Sequence, residues 1–340
     1  MVSIIIINFN GEKFIRNCIL SVLNNTAVSF EVIVVDNASG DRSFEILKQN
    51  FSTEKKLKLI FLRKNKGPAF ARNLAAKKSR GKYLIFLDYD TVVSSNWLKE
   101  TIELLERDQK IAGGQLKILR MGQKNIYDSA GEKLTPLGFL SERAMGSKDN
   151  KQFNKVENIF SGKGAGMIVR KSIFEKVGGF DESYCMYWEE PDLSWRIWQS
   201  GHRFVYLPTD KIWHAYVTKE KNDLYYQKSQ VIYYGCRNAI TTLIKNLEAK
   251  NLIRILPLHI ISWLILSFMF LIQLKLAKSF FIIKGVVWNF IHLPLILKKR
   301  RLVQKRRTIS DDRLFELVGE KKSFSYYLGK GFAYIRGKPF

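Results

Sequence analysis

Cysteine is scarce: Cys18, Cys185 and Cys236 are the only three in 340 residues. The total is odd and no pair has metal-ligand or redox spacing, so a disulfide framework and a zinc module are excluded and a reducing compartment is expected. No secretory leader is expected either. MVSIIIINFNG has neither a basic start nor a small-residue cleavage site and reads as a buried strand, so no export of the N-terminal domain is expected. Acidic residues are few beside basic ones, 31 against 56, which leaves a formal net charge of +25. Such an excess attracts polyanions: nucleic acid, anionic lipid or diphosphate-bearing molecules. Position decides among them. KKRRLVQKRR at 298–307 packs seven cations into ten residues directly after a very apolar stretch, which favours anionic lipid. No nucleic-acid partner is expected, because no known nucleic-acid module is visible and the cations are not interleaved with stacking aromatics.

What is present is a hydrophobic fraction of 46%, enough for a real core. VSIIIINF and EVIVVD are short β-branched runs of the kind buried on both faces of a parallel sheet. Between and after them come apolar residues at helical spacing in GEKFIRNCILSVLNN, a helical stretch over 41–49, a strand at LKLIFL, a helix at GPAFARNLAAKKS and a strand at YLIFLDYDT. This alternation predicts an α/β fold, a mainly parallel sheet flanked by helices. A further helix is read over 97–107, the Gly-rich 111–160 segment is left as short antiparallel strands or loops, and FVYLPTDKIWHAY reads as an edge-like strand interrupted by Pro208.

The C-terminal third differs. ILPLHIISWLILSFMFLIQL at 255–274 carries no formal charge and is long enough to cross a hydrocarbon core of roughly 30 Å, although a buried helix is the alternative. FFIIKGVVWNFIHLPLIL, broken by Lys284 and Pro294, suits an interfacial or re-entrant helix. Cations flank the pair on both sides, so a hairpin entering and leaving on the cytoplasmic side is expected. The expected division is a catalytic domain over 1–220, a connecting helix over 221–250, membrane-associated helices over 251–310 and a tail over 311–340.

Chemistry-bearing residues gather at the strand ends. Asp88 and Asp90 close YLIFL, where ligands bind in parallel sheets and where hard oxygen donors suit Mg²⁺ or Mn²⁺. Asp-x-Asp alone is more often a solvated strand end than a metal site. Its neighbours add weight: NKGPAFARN sets Gly67 and Pro68 before a helix containing Arg72, a place where a cation and free amides could face a diphosphate. Asp36 closes the second strand, where an acid can accept from a nucleoside. PDLSWRIWQSG reads as a helix, with Glu189 and Glu190 just before it. Asp192 and Asp181 read as structural, and Tyr184, Tyr187, Trp188, Trp195 and Trp198 mainly as core.

The segments VSIIIINFNG, VVDNASGD, NKGPAFARN, FLDYDT, GAGMIVRKSIFEKVGGFDE and YWEEPDLSWR occupy roughly the first two thirds of the chain. Each is weak alone, but in this order they resemble the family-2 inverting glycosyltransferases with the A-type nucleotide-diphospho-sugar transferase fold. Arg237-Asn238 in a later helix, followed by apolar and basic helices, resembles the rhamnosyltransferase-like subgroup.

The resemblance implies a nucleotide-sugar donor and a glycan or polyprenyl-diphosphate-linked acceptor. It implies that Asp36 contacts the nucleoside, that Asn8, Asn65, Gly67 and Arg72 add donor contacts, and that Asp88 and Asp90 meet the sugar diphosphate and a divalent metal. His214 stands where relatives often have a histidine near the metal, with a structural histidine as the alternative. Many relatives have Glu-Asp where this chain has Glu189-Glu190, which makes Glu190 the general base and Glu189 its alternative. Trp188 is the candidate for stacking on an acceptor sugar. Two neighbouring activities fit less well. A processive polysaccharide synthase would show a Gln-x-x-Arg-Trp element and several clear spans. A nucleotidyltransferase would need a basic glycine-rich loop after the first strand, where NFNGEKF offers only Gly11.

Overall fold

A computed structural model describes residues 1–215 and 229–335. They fall into two compact units, one of Met1–Glu132 and the chain from Arg143 through the last strand, the other of Lys133–Glu142 and the chain after 228.

The first unit is α/β. It opens β1 (Val2–Asn8), α1 (Ile15–Asn25), β2 (Phe30–Asp36), α2 (Ser43–Phe51), β3 (Leu57–Phe61), α3 (Gly67–Lys78) and β4 (Tyr83–Asp88). Every residue of β1 and β2 is buried, as their β-branched runs require when helices cover both faces. In α1 the buried Ile15, Cys18, Ile19 and Val22 repeat at helical spacing and turn one stripe to the core. β1, β2 and β3 run parallel, and β4 joins β1 parallel on its other side. Asn8 stands in register with Asp36, and Ile7 with Asp88, so the strand-end polar residues share one rim of the sheet.

Then follow β5 (Thr91–Val93), α4 (Lys99–Arg107), β6 (Ile111–Arg120), β7 (Gln123–Ser129), β8 (Glu132–Leu134), β9 (Leu140–Glu142), β10 (Glu157–Asn158), β11 (Met167–Arg170), α5 (Lys171–Val177), α6 (Glu189–Gln199) and β12 (Arg203–His214). The main sheet runs β10-β12-β6-β11-β4-β1-β2-β3, with β11 antiparallel to both neighbours.

Three local expectations are refined. The helix expected from 97 starts at Lys99, because Leu98 takes a left-handed conformation and donates its N–H to Asp210 Oδ1 at 2.8 Å. β12 is no edge strand: β6 flanks one side and β10 and β5 the other. Pro208 falls in the irregularity between Leu207 and Lys211, where the missing N–H breaks no ladder bond. Glu189 and Glu190 form the first turn of α6 rather than preceding it.

The second unit takes in β9 and most of β8, and after residue 228 it is helical where described: α7 (Ser229–Asn246), α8 (Ala249–Ile272), α9 (Leu276–Ile291), α10 (Leu293–Lys305), α11 (Asp311–Val318) and α12 (Phe324–Ile335). The stretches 221–228 of the expected connecting helix and 336–340 of the expected tail lie outside the described residues. Ile232, Cys236 and Ile240 of α7 form a core with Trp263, Leu266, Phe270, Ile282 and Val286. Arg237 is buried, its guanidinium 4.5 Å over the Trp288 ring. α8 is long and apolar enough to cross a membrane. Its opposite face exposes Ile253, Leu258, Ile261, Ile265 and Phe268. α9 and α10 are apolar together and bent by 68° at their junction.

Candidate active site

The first loop network is polar and tight. Asn8 Nδ2 donates to Asp36 Oδ2 at 2.7 Å and to Ser39 Oγ at 3.1 Å, while the Ser39 N–H and hydroxyl donate to Asp36. Asn8 Oδ1 is buried with no partner, a cost of about 1–3 kcal/mol that an incoming donor group would relieve. Asn65 Oδ1 accepts from Asn37 Nδ2 and from the Gly67 N–H, each at 2.9 Å, and so shapes the start of α3. Gly67 has φ +81° and a Cβ there would lie 2.6 Å from the Cys185 carbonyl, so this turn admits only glycine.

Arg72 is the hinge of the charge arrangement. Its side chain is 4% exposed, with Nη1 2.7 Å from Glu190 Oε1 and 3.5 Å from Glu189 Oε1, and Nη2 3.1 Å from Asp88 Oδ1. Burial works against its charge, but Glu190, Asp88 and Glu189 outweigh it and hold the guanidinium more firmly protonated than usual. The Gly164 N–H donates to Glu190 Oε1 at 3.2 Å. Burial, reinforced by the neighbouring Glu190 charge, pushes the Glu189 carboxyl up to about 8, so near neutrality it carries a proton for much of the time.

Asp88, Asp90 and His214 place one ligand atom each within 4.8 Å of one another. His214 Nε2 lies 3.3 Å from Asp90 Oδ1, and Nδ1 lies 3.0 Å from Asp128 Oδ2. Burial pulls the imidazole pKa down, yet Asp90 and Asp128 lift it to about 10. Two carboxylates and an imidazole fit a divalent cation, and because three donors leave positions open, diphosphate oxygens can complete its shell.

The structure thus brings Arg72, Asp88, Glu189 and Glu190 into one cluster, and Asp88, Asp90 and His214 into an adjoining one. Asn8 and Asp36 stand on the neighbouring strand ends. Tyr187 and Trp188 take left-handed conformations, φ 63° and 71°, at the entry to α6, and Trp188 stays half-buried. Trp195 packs edge-on against Phe160 at 5.2 Å, Trp198 donates to the Ile159 carbonyl, and Asp192 pairs with Arg196 at 2.7 Å. The sequence reading missed Asp128. It lies in the 111–160 segment, where no periodicity marks it, and only the β6–β7 and β6–β12 pairings carry it to His214.

The profile of glycosyl transferase family 2 matches residues 3–178. The chain belongs to glycosyl transferase family 2. An uncharacterized glycosyltransferase of Haemophilus influenzae is 30% identical over 138 residues, which are 37% of this chain and 55% of that protein. The chain therefore spans about half the length of that curated relative. Among solved structures, S. aureus TarS 1-349 in complex with UDP-GlcNAc has TM-score 0.57 at 17% identity, covering 100% of this chain and 93% of TarS 1-349. The mannosyltransferase PcManGT from Pyrobaculum calidifontis, in complex with GDP-Man and Mn²⁺, has TM-score 0.54 at 14% identity, covering 99% and 85%. At these identities the likeness is one of fold, and it agrees with the A-type fold expected from the motifs.

Proposed function

We propose that this family-2 chain transfers a sugar from a nucleoside-diphosphate donor to an acceptor hydroxyl, with inversion at the anomeric carbon. The observation that carries the reading is Arg72, whose guanidinium ties Glu190 to Asp88 and so sets a carboxylate base beside the metal-type cluster. Asp36 and Asn8 meet the nucleoside, with Asn65 and Gly67 shaping the loop beside them. Asp88, Asp90 and His214 hold Mg²⁺ or Mn²⁺ at the diphosphate. When bound there, such a cation neutralises charge growing on the departing nucleoside diphosphate.

Glu190 takes the acceptor proton as the hydroxyl oxygen bonds to the anomeric carbon and the bond to the diphosphate oxygen breaks. Arg72, released toward the diphosphate, adds a second positive charge to the leaving group. A retaining double displacement needs an ionised second carboxylate, and the burial that keeps Glu189 largely protonated argues against that role. Trp188, half-buried at the mouth of α6, is assigned to stacking on an acceptor sugar.

The acceptor is a glycan or polyprenyl-diphosphate-linked saccharide. The chain works at the cytoplasmic face of a membrane, with α8 inserted and the 298–307 cations on anionic lipid. The rhamnosyltransferase-like assignment rests on Arg237-Asn238 and on the apolar and basic helices that follow it. The test is a panel of nucleotide-sugars incubated with membranes carrying the full chain and Mn²⁺ or Mg²⁺, scored for free nucleoside diphosphate. Release from at least one donor, abolished by chelator, is expected; no release from any donor would overturn the reading.

A further inference from the structure

We propose that Asp128 is a positioning residue that fixes the tautomer and aim of His214 toward the divalent cation; this rests on the metal reading above. Asp128 lies on β7, is fully buried, and sets Oδ2 3.0 Å from His214 Nδ1. A carboxylate taken out of water is costly unless its charge is answered. The imidazole answers it here, and so does Lys163, whose Nζ stands 3.6 Å from the same oxygen and donates to the Asp128 carbonyl at 3.3 Å.

The geometry makes the histidine directional. With Asp128 accepting from Nδ1, the ring turns its other nitrogen to Asp90, 3.3 Å away, on the side where Asp88 stands. Metal-ligating histidines are commonly held in this way, the far N–H given to a carboxylate that fixes the ring and raises its basicity. Asn at 128 would keep the size but could donate as well as accept. It would then stabilise the wrong tautomer as readily as the right one.

The test is Mn²⁺ binding to the full chain, followed by the loss of the free-ion electron paramagnetic resonance signal, with no donor present. Asp128→Asn should weaken Mn²⁺ binding by about 10–100-fold. In a His214→Gln background the same change should alter it by less than about twofold, because the carboxylate acts only through that ring. Should Asp128→Asn not fold, Asp128→Glu, which moves the carboxylate by one methylene, carries the same cycle. Asp90→Asn separates the two levels. If the parent chain and Asp90→Asn bind Mn²⁺ alike, or neither binds it, the metal reading falls and the inference with it. If Asp90→Asn loses Mn²⁺ while Asp128→Asn keeps parental affinity, the metal reading stands and the inference is overturned. An equal loss with and without His214 would likewise overturn it, since Asp128 would then act by another route.

Discussion

Replacing Arg72 by methionine removes the guanidinium but keeps most of the side-chain volume. Oxygens of Glu190, Asp88 and Glu189 stand 2.7, 3.1 and 3.5 Å from that guanidinium, whose side chain is only 4% exposed. Breaking a buried pair by removing one partner costs about 3–5 kcal/mol. For domains of 150–250 residues each kcal/mol lowers the thermal midpoint by about 2–4 °C, which gives a fall of roughly 6–20 °C. Adding Glu190→Gln to Arg72→Met should restore about 0.5–3 kcal/mol, the usual coupling of contacting residues. The assay is thermal unfolding by near-ultraviolet circular dichroism near pH 7. A fall below about 2 °C, or no recovery in the double variant, would refute the charge balance around Arg72.

Glu189→Gln reports on the buried partner acid. Its folded pKa of about 8 lies above the ordinary 4.5, so ionising it costs stability, nothing below about pH 4.5 and the full amount above pH 8. The glutamine variant should therefore gain thermal midpoint over the parent progressively from pH 5 to pH 8; a constant difference would contradict the burial argument. For the helical unit, the full chain should sediment with membranes and need detergent for release, given the exposed apolar face of α8. Release by high salt alone would leave only an interfacial mode, and partition to the soluble fraction would remove both. Product analysis by proton nuclear magnetic resonance should find the anomeric configuration opposite to that of the donor; retention would end the single-displacement mechanism.

Much of the fold was legible because β1, β2 and β4 are buried on both faces and advertise it as short, predominantly apolar runs ending in Asn8, Asp36 and Asp88. The segment after α4 was not legible, and its glycines explain why. Gly113 and Gly114 read as loop signals, yet they lie inside β6, where added Cβ atoms would stand 2.3 Å from the Ile168 carbonyl and 2.1 Å from the Val205 carbonyl. Close strand approach demands glycine there, so a residue type that usually marks turns marks a packed strand. Asp88, Asp90 and Arg72 could be picked out because strand ends and a Gly-Pro helix start are local features. Asp128 and the Arg72–Glu190 contact could not, since they join residues 86 and 118 positions from their partners.

The central claim is that Glu190 takes the acceptor proton. It is tested most directly by comparing Glu190→Gln with Glu189→Gln for donor affinity and for the rate of transfer. Glutamine keeps the size and a hydrogen bond to Arg72 but accepts no proton, so donor affinity should stay within a few-fold of the parent while transfer falls by about 10²–10⁴. Glu189→Gln should lose far less. Equal loss of donor affinity and rate in Glu190→Gln, or the larger catalytic defect in Glu189→Gln, would contradict the assignment.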